Sequence, residues 1–209
     1  MIFIDPKLWA AASGKPLGNF SEGDIIQLNE GGVPVDFYVS CHNYEQSLNG
    51  AGRTLVVRKD VYDQRQWNSS YWNDWANSSM RSWLNEDYKA LLGPEIQEAM
   101  GTTTYCYTPG NGNWTVTTRS DAVFLLSLTE LGKSHDYANA EGSALPIASN
   151  LQFAYQNGNR TTYQWTRSPD TTGLYNAYCL YSNGNISDGS VTNTEGSRPA
   201  FTLPSDFRI

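Results

Sequence analysis

Cysteine, histidine, charge and long apolar runs are all scarce in this chain, and each scarcity excludes something. The three cysteines, Cys41, Cys106 and Cys179, are widely spaced, with no C-x-x-C among them. An odd, scattered set describes neither a disulfide framework nor a zinc site, and it reads as three free thiols, mostly buried. The only histidines, His42 and His135, lie far apart and lack metal-ligand spacing. No Ser-His-Asp order and no nucleophile elbow is present, so no catalytic residue, cofactor or metal is expected. Charged residues make up only 17% of the chain, the net charge is −7, and no basic run occurs. That balance argues against nucleic acid as a partner. No apolar stretch is long enough for a membrane span. The start, MIFIDPKLWAAASGKPLG, lacks the basic region and apolar core of a signal peptide.

What is present suits one domain. The chain has 209 residues, 39% of them hydrophobic, with 7 Trp and 13 Tyr. Residues 1–20 read as an N-terminal arm punctuated by Pro6, Gly14, Pro16 and Gly18; residues 21–209 form the domain. GDIIQLNEGGVPVDFYVSCHNY reads as a hairpin: Ile26 and Leu28 alternate with polar residues, Gly31-Gly32 turns, and Val35, Phe37 and Val39 return. RTLVVRKDVY adds a strand. Asn77 or Ser78 caps a helix whose one face carries Met80, Trp83 and Leu84, which places Trp83 in the core. Gly93 ends that segment, and Pro94 opens a second helix. TTTYCYT, AVFLLSL, TYQWTRS, NAYCLYS and RPAFTLP read as short strands, with Asn183-Gly184 a hairpin turn. Strands, then helices, then short strands with long loops give an α+β class with mixed or antiparallel sheet and two helices.

A second scarcity is local. From Asp170 to Thr194 the chain has no Lys, Glu, Gln, Met or Trp, although all five occur elsewhere in it. Four blocks surround or precede this run in order: QWNSSYWNDWANSSMRSWLNEDYKALL, DAVFLLSLTELG, WTRSP and GSRPAFTLPSDF. Together they resemble a C-type-lectin-like domain of gut bacteria and their phages, related in fold to formylglycine-generating enzymes, over roughly residues 20–209. Ser197 stands where that family usually has Val. Members with this tail resemble the variable proteins of diversity-generating retroelements, in which template adenines are randomised. Asn codons then become NNC or NNT, which cannot encode Lys, Glu, Gln, Met or Trp. The resemblance thus implies a C-type-lectin-like fold and a variable region at about 165–201, restricted by its codons. An ordinary Asn/Ser/Thr/Gly-rich hairpin would also be poor in Lys and Met.

On this reading the chain is a hypervariable ligand- or receptor-binding protein of a phage particle or cell surface. With no signal peptide visible, assembly into a virion would carry it outside the cell. Its ligand, a surface protein or a glycan, would contact Asp170, Thr171, Thr172, Tyr175, Asn176, Tyr178, Tyr181, Asn185, Ser187, Asp188, Thr192 and Asn193. Tyrosine gives large rigid contacts, and Asn and Ser give adaptable hydrogen bonds. Tyr175, Tyr178 and Tyr181 are the candidate anchors, although strand alternation sends 178 and 181 to opposite faces. Trp165, Arg167 and Arg198 would form the scaffold frame. Trp72-Asn73-Asp74 resembles a calcium-ligand motif of classical C-type lectins, but it precedes the main helix and reads as a loop with a capping role. Asp60, Asp63, Asp121, Glu95 and Glu98 read as surface or capping carboxylates. The alternatives are a structural virion or tail subunit, or an enzyme of the formylglycine-generating type drawing on Cys106 and Cys179. The arm suggests a homo-oligomer or attachment to a tail assembly.

Overall fold

The computed structural model describes residues 14–153, 155–156, 159–160 and 163–209. The chain order is β1 (Ile25–Glu30), β2 (Val33–His42), β3 (Arg53–Arg58), β4 (Asp63–Gln66), β5 (Thr103–Tyr107), β6 (Thr117–Asp121), β7 (Tyr155–Gln156), β8 (Asn159–Arg160), β9 (Tyr163–Pro169), β10 (Asn176–Tyr181), β11 (Ile186–Ser190), β12 (Thr194–Ser197) and β13 (Ala200–Pro204). One sheet runs β1-β2-β3-β13 and a second runs β11-β10-β9-β12-β4; β5-β6 and β7-β8 are two-stranded. Every pairing is antiparallel except β12 with β9.

The expected α+β, C-type-lectin-like class is corrected. Strand accounts for 38% of the structure and helix for 18%, spread over several sheets and a few short helices. The helical signals were local ones. Ser78 does cap, its Oγ accepting from Arg81 N at 3.1 Å, but the run Ser79–Trp83, Leu84–Tyr88 and Lys89–Leu91 passes through a π turn. Pro94–Met100 is a second short helix. Within the π turn, Asn85 Oδ1 accepts from Ala122 N and Val123 N, and its Nδ2 donates to Val123 O. Met80 and Leu84 are fully buried, but Trp83 is only half-buried. It packs against both Tyr62 and Tyr88, which also touch each other, with the Arg65 guanidinium over its ring.

The expected β1-β2 hairpin forms, and its register sets Ile26 opposite Phe37 and Leu28 opposite Val35. Gly31 and Gly32 both take positive φ, 64° and 84°, which a two-residue hairpin turn of this kind requires. AVFLLSL is a further correction. It is buried throughout but forms no strand, only an isolated bridge from Phe124 to Ala200. Its backbone groups are engaged elsewhere: Val123 O by Asn85, Leu125 O and Leu126 O by Arg167.

The first thirteen residues of the expected arm lie outside the described residues. Residues 14–20 run beside the C-terminus: Leu17 N donates to Phe207 O and Gly18 N to Ser205 O, both at 2.7 Å, and Leu17 is fully buried. Among the described residues, no helix is long and apolar enough to cross a membrane.

Two chain crossings join the main sheets, β3 to β4 and β12 to β13. Arg198 sits at the second crossing, fully buried by its neighbours. Its guanidinium donates to Arg58 O (2.8 Å), Lys59 O (2.6 Å), Leu151 O (2.9 Å) and Phe153 O (3.3 Å). Burial without a carboxylate partner pushes its pKa down to about 10, so it stays charged at neutral pH. A lysine ammonium has three donors for these four carbonyls, so at least one would be left without a donor. Arg198→Lys is therefore expected to cost about 2–4 kcal/mol, read as the change in urea unfolding free energy; a loss under about 0.5 kcal/mol would show that the crossing does not depend on the guanidinium.

Candidate functional site

The segment QWNSSYWNDW carries two tryptophans eight positions apart, Trp67 and Trp75, and both are fully buried. Their indoles meet at 5.4 Å. Trp67 Nε1 donates to Thr166 O and Trp75 Nε1 to the Tyr105 hydroxyl. Between these anchors the chain loops outward. Tyr71 and Trp72 project at the tip, 65% and 43% exposed. Asn68 braces the loop from within: its Nδ2 donates to Trp72 O, and its Oδ1 accepts from Ser79 N.

Asn73, next in line, is fully buried and reaches across to the restricted stretch. Its Nδ2 lies 3.1 Å from Asp170 O, 3.1 Å from Gly173 O and 2.9 Å from Asn176 O. Its main-chain N donates to Leu174 O, and its Oδ1 accepts from Asn111 N. An amide has only two hydrogens, so the three carbonyls share them. The neighbouring chain must be bare for this fit: a Cβ on Gly110 would stand 1.8 Å from Asn73 O. Trp72-Asn73-Asp74 is thus a clamp, with Asp74 accepting from Asn77 N to cap the following turn. Among the described residues, no group of three or more His, Cys, Asp or Glu side chains could hold a metal.

The structure divides the expected ligand residues into three sets. Asp170 and Tyr178 turn inward and are withdrawn from the surface. Asp170 Oδ1 accepts from Thr172 N and Oγ1, closing the loop on itself. The Tyr178 hydroxyl meets His135 Nδ1 at 2.9 Å, and burial with nearby Asp170 and Asp188 pushes its pKa up. Tyr175, 46% exposed, stands with Tyr71 and Trp72, ring centroids 5.9 and 5.5 Å away. Asn176 donates to Asp188 at 2.8 Å, Thr192 shares a hydrogen bond with Ser190, and Asn193 is exposed. Thr171 N and Oγ1 hold Tyr137 O, and Thr172 is exposed. Tyr181, 38% exposed, packs on Tyr163 at the other end of β10, near the turn that carries Asn185. Ser187 is half-buried beside it. At about 3.3 Å per residue, the Tyr175 and Tyr181 ends are separated by roughly 20 Å. The restricted stretch therefore offers two patches, with a buried strand between them.

Trp165, Arg167 and Arg198, assigned to the frame, are all buried. Arg167 forms a bidentate pair with Glu130 at 2.6 and 3.0 Å and donates to Cys106 O and Leu125 O. The Tyr44 hydroxyl donates to the same Glu130 carboxylate. Glu141, also fully buried, accepts from Thr108 N at 2.8 Å and Ser168 Oγ at 2.7 Å. Asp121 is no surface carboxylate either: Arg81 forks onto it, and the Tyr105 hydroxyl donates to it. Cys41 and Cys106 are half-buried and Cys179 buried, all as free thiols. Burial pushes Cys41 up to about 11 and Cys179 up to about 12, which leaves little thiolate for nucleophilic work.

A cleft of about 410 Å3 opens elsewhere, lined by Asp36, Arg58, Lys59, Asp60, Tyr62 and Gln156. Its cations are already paired, Arg58 with Glu30 and Lys59 with Asp36. Concavity alone would favour this cleft; the Tyr175 surface is the better candidate because three large aromatic rings stand exposed together on it.

Two outcomes follow from this geometry. Asn73→Asp removes the donors that hold three carbonyls and buries a charge beside them. It should cost about 3 kcal/mol or more and speed amide exchange or proteolysis selectively at 170–176; uniform exchange across the chain would contradict the clamp. Burial raises the Glu141 pKa above its usual 4.5. Its contribution is then complete below about pH 4.5 and is lost as pH rises through the raised value. Glu141→Gln should remove that loss, so stability of the variant relative to the parent should improve from pH 4 to pH 8 in urea titrations. A difference independent of pH would refute the assignment.

A family model described as "Domain of unknown function (DUF6273)" matches residues 51–205. No curated protein and no solved structure matches the chain.

Proposed function

We propose that this chain, which belongs to the DUF6273 family, is a binding protein that displays a sequence-variable surface and catalyses no reaction. The observation that carries the reading is how the frame grips the restricted stretch. Asn73 holds main-chain carbonyls of residues 170, 173, 174 and 176. None of those contacts uses a side chain of the stretch. Tyr175, Asn176, Asn185, Asp188, Thr192 and Asn193 can therefore change without removing them.

The residue alphabet of the run supports the same reading. It matches what randomised Asn codons encode, as in the variable proteins of diversity-generating retroelements. Its buried members, Asp170, Ala177, Tyr178, Cys179, Leu180 and Val191, would be the constant positions. On this proposal the partner is a surface protein or a glycan, met from a phage particle or the outside of a cell. The fully engaged donors of Arg167 favour structure over catalysis for the buried Arg-Glu cluster.

The test is a library at Tyr175, Asn176, Asn185, Asp188, Thr192 and Asn193, drawn from the alphabet of the run. Each exposed substitution should stay within about 0.5 kcal/mol, while Arg167→Ala or Arg198→Ala unfolds the chain. A library that unfolds as readily as those two variants would sink the proposal. At the DNA level, the reading requires a near-repeat of the 3′ end of the gene beside a reverse transcriptase, differing at adenines.

A further inference from the structure

Three aromatic rings face solvent together on a protein whose other large rings are mostly buried. Tyr71, Trp72 and Tyr175 are 65%, 43% and 46% exposed. Their planes do not close on one another: Tyr175 meets Tyr71 at 83° and Trp72 at 34°. Each ring keeps a large part of its surface in solvent, and such clustered exposure marks an interaction site.

The rings are also held in advance. Asn68 N donates to Val191 O, Val191 N to Tyr175 O and Asn73 N to Leu174 O, at 2.8–2.9 Å. This ladder locks the Tyr71-Trp72 loop to the Tyr175 loop, so a ligand meets a formed surface and orders little on binding. Two of the three rings lie outside the restricted stretch. They supply a constant part of the surface, and Tyr175 with its polar neighbours supplies the changeable part.

We infer that Tyr71, Trp72 and Tyr175 form a stacking platform for a neutral sugar ring of a polysaccharide or surface glycan. This rests on the binding-protein reading above and names its ligand class. The negative face of an aromatic ring attracts the partly positive C–H groups on one side of a pyranose, while hydroxyls need donors and acceptors at the rim. Asp188, exposed, and Asn176, half-buried, are joined at 2.8 Å beside Tyr175 on the β10-β11 pair. The residues 170–194 carry no Lys, Arg or His, so an anionic sugar, phosphate or nucleic acid finds no counter-charge within the stretch. Three rings also fall well short of the roughly 800 Å2 per partner of a standard protein interface.

The experiment is affinity electrophoresis of the full chain in gels containing mannan, galactan, dextran or xylan, with polygalacturonate and gelatin as contrasts. At least one neutral polysaccharide should retard the protein and shift its tryptophan emission. Trp72→Ala and Tyr175→Ala should each weaken that retardation at least tenfold with unchanged melting, while Tyr181→Ala, at the far end of β10, should not. Retardation by none of the four neutral gels, or only by polygalacturonate or gelatin, overturns the inference, as does retardation that survives Trp72→Ala. These failures are distinct from failure of the wider reading. If the six-position library stays folded and yields binders to a protein target while no neutral gel retards the chain, the surface stands and the sugar does not.

Discussion

The ion pair of Arg167 with Glu130 is the contact on which the irregular half of the molecule depends. From residue 122 to residue 153 the chain runs through some thirty residues without a strand. A segment without ladders must satisfy its buried carbonyls and amides by other means. Arg167 provides five donors in one plane, all used: two on Glu130, and the rest on Cys106 O and Leu125 O. Glu130 in turn accepts from Ser127 N and the Tyr44 hydroxyl. One guanidinium therefore fastens β9, β5 and the loop at 122–130 to a single point. Both charges are taken fully out of water, which is costly unless every donor and acceptor is met. Here they are met.

Some of this was legible in the sequence and some was not. The β1-β2 hairpin, the Ser78 cap and the Asn183-Gly184 turn depend on neighbours a few residues away, and local patterns describe them. The α+β class did not survive, because two helical patterns say nothing about how many short strands surround them. AVFLLSL reads as a buried strand by its apolar run, yet Asn85 and Arg167 take up its backbone groups, and no ladder forms. Trp83 obeys the helical period but sits at the rim, where a π turn shifts the face that its neighbours present.

The site shows the same division. The restricted alphabet from Asp170 to Thr194 was visible, as was the need for some of its tyrosines to turn inward; the structure chooses Tyr178. The grouping of Tyr71, Trp72 and Tyr175 spans a hundred residues of chain and has no local signature. The nearest signal was the pair Trp67 and Trp75, buried anchors that flank two further aromatics. Asn73 reads as part of a capping loop because the following Asp74 does cap a turn; the partners of its own Nδ2 lie about a hundred positions away.

The Asn73 clamp constrains length as firmly as it frees composition. It engages the carbonyls of residues 170, 173, 174 and 176 at fixed intervals. Replacing a side chain between those points leaves every carbonyl where it was. Adding or deleting one residue displaces the later carbonyls by about 3.3–3.6 Å of chain, beyond the reach of a short amide. A lineage that varies this loop would be held to exchanging letters without changing their number, and the shape presented would be copied unaltered through every change of chemistry upon it.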